Sequence, residues 1–116
     1  MYDLVIKGGT VYDPINNIAG KYDIGIGDGQ IAIVSEDIEI SLGKRLIKAE
    51  GKVVVPGIID MHVHTGFVCK GRTAMPMMAK AGTVTAVDCG GPINEFIDNA
   101  VQNGAGMNMI LSLIHI

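Results

Sequence analysis

At 116 residues, 48% hydrophobic and 18% charged, the chain is long enough for one globular unit and too short for two full domains of about 150 residues each. A composition that apolar excludes general disorder. The formal net charge is −3 and the nine Lys and Arg are scattered, so neither nucleic acid nor an anionic membrane is expected as a partner.

The opening Met1-Tyr2-Asp3-Leu4-Val5-Ile6-Lys7 has an early acid and no basic segment before an apolar run, which fails the pattern of a secretory signal. Residues 2 to 50 predict short β-strands separated by turns, with Leu4 and Ile6, then Ile24 and Ile26, alternating with other residues. Asp28-Gly29 lies between Ile24-Gly25-Ile26 and Gln30-Ile31-Ala32-Ile33-Val34. Both residues tolerate positive φ, so a β-hairpin with a tight primed turn is expected there. Gly25, Gly27 and Gly29 also resemble a phosphate-binding loop, but no helical pattern follows and the Lys-Ser/Thr ending is missing. Dinucleotide binding is therefore set aside.

From about residue 52 the pattern changes. The best apolar stretch, Val53 to Ile59, contains Pro56-Gly57 and stops at Asp60, far short of the roughly 20 residues of a membrane helix. A strand running through His64, a helix around Gly71 to Ala81, a strand from Thr83 to Val87 and a helix from near Pro92 to about Asn103 are predicted, then a strand near Met107 to Ile110. Proline fits the first turn of the second helix and Asn103-Gly104 its end. This alternation implies βαβ units and a parallel sheet, open or closed into a barrel. Cys69 and Cys89 are too few and too far apart for a disulfide framework or zinc knuckle, so reduced thiols in a cytoplasmic protein are expected.

Read as a strand, Ile58 to Thr65 places Asp60, His62 and His64 on one face and Ile59, Met61 and Val63 on the other. In a parallel barrel the apolar face would pack under helices and the ionisable face would point inward, where unpaired polar groups cost several kcal/mol each. Two imidazoles two residues apart on a strand sit about 7 Å apart at the backbone, close enough to converge on one cation. A single strand histidine is ordinarily a hydrogen-bonded core or surface residue; the pair with Asp60 favours a divalent metal held by His62 and His64. Zinc is the expected ion, with manganese, iron or nickel as alternatives that the residues do not separate.

Val55-Pro56-Gly57-Ile58-Ile59-Asp60-Met61-His62-Val63-His64 resembles the first-strand signature of the amidohydrolase superfamily, as in dihydroorotases, hydantoinases and related deacetylases. Asp3 to Val11 with Asp13-Pro14, then Asp23-Ile24 through Asp28-Gly29-Gln30-Ile31, resembles the small β-sandwich before that family's barrel, and Ala81-Gly82-Thr83-Val84-Thr85-Ala86-Val87-Asp88 its second barrel strand. The resemblance implies an α/β fold: part of a β-sandwich over 1–52, then the first two or three strands of a (β/α)8 barrel over 53–110. It implies a metal-dependent hydrolase of C–N bonds in cyclic or acyl amides, with His62 and His64 on one or two ions, a small-molecule amide substrate and a homo-oligomeric assembly. Asp60 would orient a ligand imidazole. Some deacylases of the superfamily use a cysteine near Cys89 as a ligand, but a buried structural thiol is the simpler reading. Asp88 reads as a strand-end or cap residue.

The family pattern also requires a metal-bridging lysine or equivalent, two later histidines and an aspartate, none of which fits in the residues that follow, so an amino-terminal fragment without turnover of its own is expected. Leu111-Ser112-Leu113-Ile114-His115-Ile116 resembles the translation of a transposon end used in sequencing-library preparation. These six residues are expected to be a processing scar, with a genuine third barrel strand as the alternative; His115 is not offered as a ligand. Two other functions stay open: a non-catalytic β-domain that binds metal, and a nucleobase-type deaminase of the same superfamily.

Overall fold

The computed structural model describes residues 1–65, 73–91 and 93–112. Its contacts divide the chain into two units, Met1–Pro56 and Gly57–Ile116.

In the first unit β1 (Leu4–Asp13), β2 (Ile18–Gly27) and β3 (Gln30–Ser35) pair antiparallel, while β4 (Leu46–Lys48) and β5 (Val53–Val54) pair in parallel with β1. The β-rich front is thus one five-stranded sheet in the order β3-β2-β1-β4, with β5 also on β1. The expected hairpin is present. Gly27 pairs with Gln30, and Asp28 and Gly29 take φ of 52° and 72°, as a two-residue primed turn requires.

Strand β1 is bulged: Ile6 pairs with Ile24 but Gly9 with Tyr22, so β1 carries one extra residue there. Gly8 has φ 73° at this point, open to glycine without steric cost. The bulge brings the Gly8 amide and the Lys7 ammonium onto one buried carboxylate. Gly8 N donates to Asp23 Oδ1 at 2.7 Å, Lys7 Nζ to Oδ2 at 2.6 Å and Ile38 N to Oδ2 at 2.8 Å. Lys7 also donates to Asp37 and to the Ile38 carbonyl. Ile38, so anchored, is buried, as are Val5, Val11, Ile24 and Ala49.

In the second unit β6 (Ile58–Val63), β7 (Thr83–Asp88) and β8 (Asn108–Leu111) form a parallel sheet with β7 central. They alternate with α1 (Ala74–Lys80) and α2 (Ile93–Asn103), which is the strand-helix order read from the sequence. Helix α2 ends where Asn103-Gly104 predicted: Gly104 has φ 74° and its amide donates to Ala100 O at 2.9 Å, an αL cap. The starting points predicted for the two helices, Gly71 and Pro92, and also Cys69, lie outside the described residues. Met75 of α1 and Phe96 of α2 are buried, with Ala86 of β7.

Two expectations need correction. Strand β6 ends at Val63, one residue before His64. Ile59 and Met61, expected to pack beneath helices, are 60% and 69% exposed, because the described helix-sheet packing is centred on β7, where α1 lies. Leu111 pairs with Asp88, and Ser112 N donates to Asp88 O at 2.9 Å. Residues 113–116, His115 among them, lie outside the described residues.

Candidate metal centre

The two histidines singled out from the sequence meet at the end of β6. Their Nε2 atoms are 3.1 Å apart and their rings cross edge to face, with centroids 5.0 Å apart at 77°. Both residues are exposed.

The pairing of β6 with β7 produces this meeting. Asp60 pairs with Ala86 and Val63 with Asp88, so three steps along β6 match two along β7. The extra residue falls at Met61-His62, a bulge of the kind that re-aims side chains. It interrupts the strict alternation expected over Ile58 to Thr65. Asp60, half-buried, accepts a hydrogen bond from the His62 backbone amide on Oδ1 at 3.1 Å. The carboxylate expected to orient an imidazole thus holds the backbone of a histidine, giving a partner to an amide that a bulge takes off the ladder.

Beyond the strand, Val63 O accepts from Cys89 N at 2.9 Å. Thr65 N and Thr65 Oγ1 both donate to Asp88 Oδ2, at 2.8 and 2.6 Å, and Gly90 N donates to Asp88 Oδ1 at 3.1 Å. Thr65 and Asp88 are each 3% exposed; a carboxylate so buried needs such donors. By sequence Asp88 reads as a strand-end or cap residue and Thr65 is not singled out. The usable signal was a hydroxyl residue directly after His64 with an acid closing the next strand. Cys89 is half-buried, its sulfur 3.7 Å from Val87 O and 4.0 Å from Met61 O. Asp88, Gly90, Phe96 and Leu111 line a shallow cleft at the carboxyl ends of β7 and β8, the end at which open α/β sheets take ligands.

The donor chemistry fits a divalent ion. Two ligand nitrogens each about 2.0–2.1 Å from a tetrahedral zinc lie about 3.3 Å apart, close to the separation of the His62 and His64 nitrogens. Among the described residues no group of three or more His, Cys, Asp and Glu is placed to hold a metal.

No family model matches the chain. It is 43% identical over 90 residues to a dihydroorotase of Acetivibrio thermocellus, covering 74% of this chain and 21% of that protein. The chain therefore spans about a fifth of the length of curated relatives it matches. Among solved structures, L-hydantoinase (dihydropyrimidinase) from Arthrobacter aurescens superposes with a TM-score of 0.66 over 96% of this chain and 27% of its own, at 23% identity. That likeness shows the fold. D-aminoacylase, in a structure concerned with its binuclear metal centre, is 28% identical, covers 94% of this chain and 25% of its own, and has a TM-score of 0.61.

Proposed function

Because the chain belongs to the amidohydrolase superfamily, we propose that its residues serve a metal-dependent hydrolase of C–N bonds in cyclic or acyl amides, with His62 and His64 as ligands of a divalent ion. The observation that carries this reading is the 3.1 Å approach of the two Nε2 atoms. A dihydroorotase relative and a D-aminoacylase neighbour with a binuclear metal centre support the reaction class and the metal. Zinc is the ion we favour, from the imidazole donors. The parallel β6-β7-β8 sheet is read as the opening of a (β/α)8 barrel, whose active sites sit at the carboxyl ends of the strands.

The ion, when bound, makes water nucleophilic near neutral pH and polarises an amide carbonyl. The chain's own residues present and orient the ligands. His62 and His64 offer ring nitrogens, the bulge turns them toward each other, and Asp60 fixes the backbone of His62. The two ligands proposed leave a site more open than the three of a catalytic zinc, so weak metal binding and no amide turnover are expected of the 116 residues alone. A homo-oligomeric, cytoplasmic enzyme with a small-molecule substrate completes the proposal. Among the described residues no helix is long and apolar enough to cross a membrane.

The test is an equilibrium zinc titration of the chain. Binding that His62→Ala and His64→Ala each remove supports the reading; no binding, or binding that survives both substitutions, overturns it. Amide hydrolysis by the chain alone, assayed with a cyclic amide of the dihydroorotate kind, would contradict the expectation that it lacks turnover.

A further inference from the structure

We infer that Asp88, acting through Thr65, is the positioning residue for His64. Both peptide groups that flank His64 are held by adjacent residues at the end of β7. The carbonyl of Val63 accepts from Cys89 N at 2.9 Å, which fixes the peptide plane entering His64. The amide of Thr65 donates to Asp88 Oδ2 at 2.8 Å, which fixes the plane leaving it. Peptide groups are rigid, so fixing both planes sets φ and ψ of the residue between them, and the backbone then restricts the rotamers open to its side chain.

This control matters because the imidazole of His64 is exposed. The backbone limits the directions open to the ring, and here that backbone is clamped from below. The clamp itself is dry: Thr65 and Asp88 are each 3% exposed, so water is a poor substitute for the bonds they share. The Thr65 hydroxyl doubles the attachment with a second bond to Oδ2 at 2.6 Å. Gly90 N holds the other carboxylate oxygen at 3.1 Å, and Ser112 N holds the Asp88 carbonyl at 2.9 Å. The orientation of a residue at the end of β6 is thereby referred to β7 and β8.

The inference deepens the metal-binding reading of His62 and His64 and takes its chemical purpose from it, but the positioning can be measured without metal. The experiment compares the chain with Thr65→Val, Thr65→Ser and Asp88→Asn. Histidine ring signals are followed by NMR on the metal-free proteins and assigned with His62→Ala and His64→Ala; zinc affinity is measured by titration and the fold by far-UV circular dichroism. Thr65→Val and Asp88→Asn are expected to displace the His64 ring signals and to weaken zinc binding about tenfold or more. Thr65→Ser, which keeps the hydroxyl, is expected to restore both to within about twofold of the parent.

Unchanged ring signals in a folded Thr65→Val protein overturn the inference, as does a Thr65→Ser protein that behaves like Thr65→Val. Should the substitutions unfold the chain, amide exchange at Thr65 in the unmodified protein decides. Protection equal to that of the β7 amides supports the clamp, and exchange at the rate of an open loop overturns it. A parent chain that ignores zinc while Thr65→Val still moves the His64 signals refutes the metal reading and leaves the positioning in place.

Discussion

The ammonium of Lys7 lies 2.6 Å from the carboxylate of Asp23, brought there by a bulge in β1 that also delivers the Gly8 amide to the same group. Asp23 is 2% exposed, and burial by itself would raise its carboxyl. The Lys7 ammonium and the Gly8 and Ile38 amides outweigh that penalty and hold it below the usual carboxylate range. Lys7 in turn is raised by its bonds to Asp23 and then to Asp37.

Asp23→Ala should therefore cost about 2–4 kcal/mol, because it strands the Gly8 and Ile38 amides and removes a carboxylate partner of Lys7. Urea denaturation of the first unit's signals, followed by NMR, measures it. A loss below about 0.5 kcal/mol, the scale of an ordinary surface change, would show that the cluster is ornamental to the fold.

The same cluster sets a pH dependence whose sign follows from the direction of each shift. A carboxyl lowered on folding contributes stability that is complete above its unfolded value, about 3.9, and is lost as the pH falls through the lower folded value. A lysine raised on folding contributes stability that is complete below about 10.4 and is lost only as the pH rises through the higher folded value. Denaturation midpoints are expected to be insensitive to this cluster between those limits and to fall on the acid side. Asp23→Asn should flatten the acid limb; an unchanged limb would assign it to other carboxylates, of which Asp3 beside Lys44 and Asp13 beside Asn16 are also lowered.

Gly57 abuts Val84, the residue that β7 carries off register between Thr83 and Thr85. A Cβ on Gly57 would come within 2.3 Å of Val84 Cγ1 and 2.9 Å of its Cβ. Valine cannot turn aside as a long flexible chain would, so Gly57→Ala is expected to cost about 1–3 kcal/mol. Combining it with Val84→Ala should recover much of that loss in a double-mutant cycle. Additive costs would show that the two residues do not share the space.

The hairpin turn gives a contrast between two neighbours. Gly29, at φ 72°, should lose about 1 kcal/mol on substitution by Ala and more by Val. Asp28, at φ 52°, should accept Asn within about 0.5 kcal/mol, since Asn is equally tolerant of that region. Thermal melts of the three variants check the order.

Zinc should stabilise the second unit by mass action. At about 100 times the dissociation constant the gain is about 2.7 kcal/mol, visible as a higher melting temperature that a chelator reverses. Either His62→Ala or His64→Ala should abolish the shift. A shift that persists in both variants would locate the zinc elsewhere.

Local chemistry made much of this protein legible before any coordinates. Asp28-Gly29 announces its own turn because the requirement for positive φ is met within two residues. The strand-helix-strand-helix order after residue 57 follows from periodicity and from caps such as Asn103-Gly104. His62 and His64 stand out because two imidazoles at that spacing can converge on one point.

What the sequence left undecided depends on partners far along the chain. The bulge at Met61-His62 exists only relative to Ala86 and Asp88, so strict alternation was the natural expectation for β6 taken alone. Asp23 gives no sign of its burial until Lys7, Gly8 and Ile38 surround it. Thr65 and Asp88 stand 23 residues apart, and neither has a local pattern that selects the other. Turns, caps and periodicity are set by neighbours in sequence and can be read there. Register, and the pairing of buried polar groups that it permits, arises only when strands meet, and that meeting decides where the two imidazoles point.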